Sequence, residues 1–501
     1  MPDAATLAQA APRTAAEHFD VLIAGAGISG IGGAYHLAKQ RSGTSFIVLE
    51  SQGSFGGTWL THRYPGIRSD SDLFTFGYRF KPWTGTPIAT AAEILKYMGE
   101  VIEENGLGPR IRYRHRIEAA NWSSEEKRWT VEAVRTDTGE AVRFTANFLW
   151  MCQGYYRHSE GYTPEWPGVD RFKGRIVHPQ TWPDDLDLEG KRVVVIGSGA
   201  TAATLVPAIA GKCAHVTMLQ RSPTWFRTGR NAIEIADELR ELGVDPAWIH
   251  EIVRRKILLE QDKFTRRTFN EPEGAGRDLL AQVRAILGPD YDVEKHFTPS
   301  YRPWRQRIAF VPDGDLFHAI ASGQASVATD EIEGFAENGI SLKSGGLLEA
   351  DVVVTATGFD LSLFGGVAFI VDGEPVDFTQ RVTWRGMMIS GVPNMAYVFG
   401  YFRASWTLRA DLVSEFVCRL LAHMEERGAR TVVPTLRPED AGMQLRPWGD
   451  PENFNSGYVM RTMHLMFKQG DREPWVHLLE YADERDSLPA LDLDDSSLVY
   501  S

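Results

Sequence analysis

Cysteine is scarce: the 501 residues hold three, Cys152, Cys213 and Cys418. Odd in number and far apart, they supply no disulfide framework, no zinc-ligand spacing and no C-x-x-C, which excludes a disulfide reductase and fits a reducing cytoplasm. No metal site is expected from them. Long apolar runs are missing as well: no stretch approaches the ~18–20 apolar residues of a membrane span, so no integral membrane segment is expected. Positive charge is not in excess. The formal net charge is -13, and no segment interleaves Lys or Arg with aromatics in the manner of single-strand binders, so nucleic acid is not an expected partner. Residues 1–18 are Ala-rich without a continuous apolar core and read as a flexible leader rather than a signal peptide.

What is present is enough apolar material, 43% of the residues, for two or three domains. It is laid out as a degenerate repeat. "DVLIAGAGISG" is an apolar strand running into Gly25, Gly27 and Gly30, followed by a helix through "IGGAYHLAKQ" and a strand "SFIVLE" ending at Glu50. "RVVVIGSGATA" repeats the plan with Gly197, Gly199, Thr201 and Ala202, a helix through "ATLVPAIA", and the strand "HVTMLQR" ending at Gln220 and Arg221. In each unit the first Gly makes the tight turn, the second admits a pyrophosphate to the backbone, and the third small residue lets helix pack on strand. The helix N-terminus then faces the phosphate charge. Two nucleotides are implied.

The ends of the second strands separate the two. Glu50 is the residue type that accepts hydrogen bonds from a ribose diol and repels a 2′-phosphate, which suits FAD or NAD. Arg221, with Gln220 and Ser222 beside it, offers a cationic fork and two uncharged hydrogen-bonding groups, which a 2′-phosphate selects. The second nucleotide is expected to be NADPH.

The fold class predicted is α/β, two interleaved dinucleotide-binding, Rossmann-like domains with a helical insertion in the second. "FLWMCQGYY" and "DVVVTATGFD" are buried-type strands that stop at Gly154 and Gly358, where the chain would cross between domains. The expected boundaries are 19–155 with 380–501 for the FAD domain and 156–379 for the NADPH domain. A strand meander turns at Ser123 to Lys127, a helical insertion covers about 226–297 with its charges read as a solvated face, and an amphipathic helix through "TLRADLVSEFVCRLLAHMEERG" stops at Gly428.

"FKGRIVHPQTWP" fits no regular element. Its Phe172, Gly174, His178, Trp182 and Pro183 match the Baeyer–Villiger fingerprint F-x-G-x-x-x-H-x-x-x-W-P in full. With Gly56, Gly57, Trp59, Tyr64, Pro65, Gly66 and Asp70 in "GGTWLTHRYPGIRSD" and Ala356, Thr357 and Gly358, the chain from about Phe19 to the 470s resembles a class B flavoprotein monooxygenase of the Baeyer–Villiger type. Within that family the likeness is to its thioamide-activating mycobacterial branch.

The resemblance implies flavin reduction by NADPH, addition of O2 to the reduced flavin, and attack of the resulting C4a-peroxide on a carbonyl to give an ester or lactone. It places the fingerprint at the linker between domains. It also implies a fixed cation, Arg307 in "YRPWRQRIAFVP", with Arg302 and Arg305 as the competing candidates, and Asp70 as its partner. Gly57, Thr58 and Trp59 would adjoin the flavin, and Ser405 and Trp406 are the substrate-pocket candidates. The substrate expected is a small hydrophobic ketone or sulfide, used with molecular oxygen. Two alternatives stand beside this reading: a monooxygenase that oxidises sulfur or nitrogen, and a non-catalytic FAD/NADP-binding protein.

Overall fold

The structure, a computed structural model, describes residues 16–501. The leader expected over 1–18 lies outside the described residues as far as residue 15. Its end behaves otherwise, because Glu17 and His18 open the strand Glu17–Ala24 and pair with Phe144 and Thr145. His18 Nδ1 lies 2.9 Å from Thr145 Oγ1, a side-chain tie that carries the strand beyond its apolar run.

That apolar run is buried on both faces, with Val21, Leu22 and Ile23 fully covered. It lies near the middle of a nine-stranded sheet. On one side it pairs in parallel with Phe46–Leu49, and on the other with Ala141–Met151. The meander of His115–Ser123, Arg128–Arg135 and Ala141–Met151 is antiparallel and turns where the sequence predicts. Met395–Tyr397 returns to pair with the end of Ala141–Met151. Ala368–Val371 pairs with His115–Ser123 at the other side of the sheet, so the chain re-enters this sheet before the expected return at 380. The cause is local: glycines at 365, 366 and 373 with positive φ bracket a short apolar strand, and the meander edge is free to receive it.

The second sheet is all parallel, in the order Ala325–Thr329, His215–Gln220, Arg192–Ile196, Val352–Thr355, Arg175–Val177. Its near-continuous Val and Ile strands are the signature of a sheet covered on both faces. The helical region runs from Glu234 to Phe297. Its long helix Pro246–Asn270 docks Ile249 and Val253 on Phe74 of the first half. Arg254 departs from the expected solvated face: it is buried and donates to the carbonyl of Phe74 at 2.8 Å. A guanidinium can be buried there because the end of the short helix Leu73–Phe76 presents unpaired carbonyls to it.

The helix Trp406–Glu426 ends before Gly428, whose φ is +64°. It is buried more widely than an amphipathic helix would be. Arg409 is fully covered and grips both oxygens of Glu484, at 2.7 and 2.9 Å. Removing one partner of such a pair costs about 3–5 kcal/mol, because the other charge stays buried alone.

Two crossings join the halves. Tyr156–Gly161 leaves the first sheet and Phe359–Leu361 comes back, and the two pair antiparallel as one ribbon. Gly154 and Gly358 stand at its ends with φ of +77° and +104°.

Candidate active site

The carboxyl ends of the parallel strands of both sheets face one another across a cavity of ≈ 1140 Å³. Ligands bind at such ends because the loops there leave crevices. In the first loop Gly25 has φ +97°, and a Cβ on it would stand 2.9 Å from Gln153 Cα. Gly30 does not reach the cavity. A Cβ there would stand 1.8 Å from the Gly25 carbonyl oxygen, so it is the position of close packing between helix and strand. Gly25, Gly27, Gly57, Thr58 and Trp59 line the cavity, and so does Glu50. The Glu50 carboxylate is buried and accepts the Ala26 and Gln52 amides, each at 2.8 Å. It therefore shapes the loop as well as presenting acceptors to a ribose.

The second loop is built on the same plan with more room. Gly197 has φ +125° and backs on the Ala356 carbonyl, whereas a Cβ on Gly199 would meet nothing within 4 Å. Gly197, Gly199, Thr201, Arg221 and Ser222 line the cavity, while Ala202 is fully buried as the packing residue. Arg221 is exposed. Gln220 differs from the sequence reading. Its amide nitrogen donates to His296 O at 2.7 Å and Thr329 Oγ1 at 2.8 Å, so that group holds the sheet edge rather than facing outward. The donors, the open glycine turns and the acid at one end with the cation at the other fit two dinucleotides laid along one cavity.

Between the loops, Arg307 and Asp70 form a two-pronged ion pair, Nε to Oδ2 at 2.5 Å and the terminal nitrogen to Oδ1 at 2.8 Å. Burial opposes the charge on Arg307, but Asp70 outweighs it and holds the guanidinium above its ordinary pKa. Both residues line the cavity. The two competitors are committed elsewhere. Arg302 donates to Pro303 O and Asn453 O and lies 3.9 Å from the Phe269 ring, and Arg305 pairs with Glu452 on the surface.

Around this pair stand residues the sequence reading did not single out. Tyr155 Oη donates to Tyr156 Oη at 2.7 Å, Tyr458 adjoins both rings, and all three line the cavity. Burial pushes their hydroxyls up, so they stay protonated. Arg461 lies 3.5 Å from the Tyr162 ring and donates to Phe359 O. The available signal was the aromatic pair directly after Gly154 at a sheet's carboxyl end. Tyr458 and Arg461, in a polar Pro-containing stretch, gave none.

Trp406 lines the cavity, stacked on Tyr155 with centroids 5.0 Å apart and anchored by Nε1 to Ser29 Oγ at 2.7 Å. Ser405 does not reach it. It is buried, and its Oγ lies 2.7 Å from Thr75 Oγ1 on the short helix Leu73–Phe76, making no hydrogen bond to the start of its own helix.

None of the fingerprint residues lines the cavity. His178 Nε2 lies 3.2 Å from the Gly358 carbonyl, while Nδ1 accepts the Gln180 amide at 3.1 Å. This fixes the tautomer with the proton on Nε2 and ties the fingerprint to the returning crossing. Phe172 packs edge-on against Phe335, and a Cβ on Gly174 would stand 2.4 Å from Asp351 O. Trp182 packs against the core of the second sheet beside Pro183. His62, which does line the cavity, is pushed down to about 4 by burial, with His158 and His178 adding to the effect.

Among the described residues no acid, histidine and cysteine group could hold a metal ion, and no helix is long and apolar enough to cross a membrane.

Residues 23–84 match the NAD(P)-binding Rossmann-like domain family and residues 88–232 the flavin-binding monooxygenase-like family. The chain is 47% identical over 461 residues to the FAD-containing monooxygenase EthA of Mycolicibacterium smegmatis, covering 92% of each. It is equally similar to the FAD-containing monooxygenase EthA of Mycobacterium tuberculosis, 47% over 461 residues, covering 92% of this chain and 93% of that one. Among solved structures it shares its fold with an oxidised steroid monooxygenase bound to NADP, with TM-score 0.75 and 23% identity over 96% of this chain and 99% of that one. An ε-caprolactone-bound cyclohexanone monooxygenase superposes with TM-score 0.73 and 20% identity, over 97% and 100%.

Proposed function

The chain belongs to the class B flavoprotein monooxygenases, and from that premise we propose that it converts small hydrophobic ketones to esters or lactones with NADPH and O2. It is an NADPH-dependent flavin monooxygenase, and FAD and NADPH are its cofactors. The first glycine loop would hold FAD and the second NADPH, and the pair would supply the oxygen-activating redox chemistry.

The residues of the chain do the rest. Glu50 and the amides of the first loop hold one nucleotide, while Thr201, Arg221 and Ser222 hold the other by its phosphates. Asp70 fixes the Arg307 fork in one orientation, so a cation is aimed into the cavity before any charge develops there. Negative charge on oxygen is stabilised most by a donor that need not reorganise, in a site from which water is excluded. Trp406, Phe359 and the three tyrosines supply that exclusion on the substrate side. The single observation carrying this reading is the Arg307–Asp70 pair, set between two nucleotide loops and facing the shared cavity.

The test uses the purified yellow holoprotein with NADPH in air, offered linear, cyclic and aryl ketones and a thioether, with products identified by mass. Ester or lactone is the expected product. Sulfoxide alone would move the assignment to sulfur oxidation, and NADPH consumption unaffected by any ketone would overturn it.

A further inference from the structure

The cavity contains a hydroxyl pair with no evident structural duty. Tyr155 spends its proton on Tyr156 Oη at 2.7 Å. Among the described residues no acceptor takes the proton of Tyr156, whose ring lies in the cavity wall beside Phe359, with centroids 4.5 Å apart. The Tyr155 ring is clamped by stacking on Trp406, at 11° between planes, and by Phe399 at 5.0 Å. Both phenols feel the charge of Arg307.

A hydroxyl that already accepts a hydrogen bond is polarised and becomes a better donor. The free proton of Tyr156 is therefore a fixed, strengthened donor in the wall of the same cavity that Arg307 lines. Aromatic walls surround it, so a ligand arriving there is apolar, and its one strong acceptor finds a donor waiting. A phenol half-buried in the cavity wall without a protein acceptor favours ligands that bring one.

Resting on the ketone-oxidising reading above, we propose that Tyr156 Oη donates to the carbonyl oxygen of the ketone, with Tyr155 as the positioning residue that orients and polarises it, so that the pair sets preference for carbonyl over sulfide substrates. Discrimination follows from chemistry. A carbonyl oxygen accepts a hydrogen bond well, whereas a thioether sulfur is a weak acceptor. A site built to hydrogen-bond a substrate group rejects the analogue that lacks it far more strongly than an apolar pocket rejects a missing methylene.

The experiment uses a matched pair, 1-phenylpropan-2-one and benzyl methyl sulfide, in which sulfur replaces the carbonyl, with wild-type holoenzyme and the variants Tyr156→Phe and Tyr155→Phe. Flavin content is checked by absorbance. Tyr156→Phe is expected to lower kcat/KM for ester formation ~10- to 100-fold, the range of one lost hydrogen bond to a polarised group, and to leave sulfoxide formation within about two-fold. Tyr155→Phe should show the same asymmetry at about three-fold, since it removes only the polarisation and the orientation.

Equal losses for ketone and sulfide in both variants, or no loss for either, overturn the assignment of the pair while leaving the ketone reading intact. A wild-type enzyme that makes sulfoxide but no benzyl acetate overturns the ketone reading itself, and the pair's role with it. Should Tyr156→Phe fail to hold flavin, the ratio of ester to sulfoxide in Tyr155→Phe decides: a ratio equal to wild type overturns the proposal.

Discussion

The two glycine loops share a plan and differ in enclosure. In the first, the turn backs directly on Gln153 and Cys152, and the acidic residue at the strand end is buried with its oxygens held by two amides. In the second, Gly197 backs as closely on Ala356, but Gly199 borders open space where Gly27 faces Gly57, and the cation at the strand end is exposed with its fork free of hydrogen bonds to the described residues. One motif thus serves two regimes. A nucleotide anchored at a buried acid is expected to leave more slowly than one held largely by an exposed charge. Arg307 and Asp70 lie where the regimes meet.

The largest effect should come from that meeting point. Arg307→Ala is expected to lose ~100- to 1000-fold in ester formation, the range for removing one preorganised charge-stabilising donor. Anaerobic flavin reduction by NADPH, followed by stopped flow, should largely survive, with hydrogen peroxide released in air. A variant that no longer reduces would place Arg307 on the nucleotide side of the comparison. Next, Arg221→Ala should weaken NADPH ~10- to 100-fold and leave NADH nearly unchanged, because only the former carries the 2′-phosphate. A titration in which both change equally would dissolve the asymmetry between the loops.

Glu50→Ala acts on the closed loop and leaves two buried amides without acceptors, so flavin affinity should drop about 10-fold. The ratio of flavin to protein absorbance after dialysis measures it, and full occupancy would mean that enclosure alone retains the flavin. The smallest effect tests the packing itself. Gly199→Ala should leave folding stability within about 0.5 kcal/mol, since the added methyl meets nothing and the lost freedom of the unfolded chain offsets a poorer helix N-cap. Gly30→Ala should lower it, with a Cβ 1.8 Å from the Gly25 carbonyl oxygen. Thermal midpoints that move together would contradict the difference drawn here.

What could be read from the sequence was chemistry tied to local spacing. The glycine turns, the acid and the arginine at the strand ends, and Arg307 with Asp70 all occupy the cavity wall. Residues whose setting depends on distant partners were illegible. Ser405 looks available until Thr75, far away in the chain, takes its hydroxyl. Arg254 reads as a solvated charge because its partners, the carbonyls from Phe74 onward, arrive from another element, and nothing local to Arg409 announces Glu484. The early return at Ala368 was hidden for the same reason: a four-residue strand declares its sheet only through its neighbour. Tyr155 and Tyr156 were visible as residues but not as a pair, since side chains adjacent in sequence usually point apart.

The interruption of the first sheet by the second also orders events during synthesis. The five parallel strands of the second sheet lie in one stretch, complete once Thr355 has emerged. The first sheet waits for Met395–Tyr397, and Arg409 waits longer, for Glu484. At roughly 5–20 residues per second, that delay is on the order of ten seconds on the ribosome. The half that starts first finishes last, and through that interval its apolar strands stand open with a growing, already folded neighbour tethered beside them.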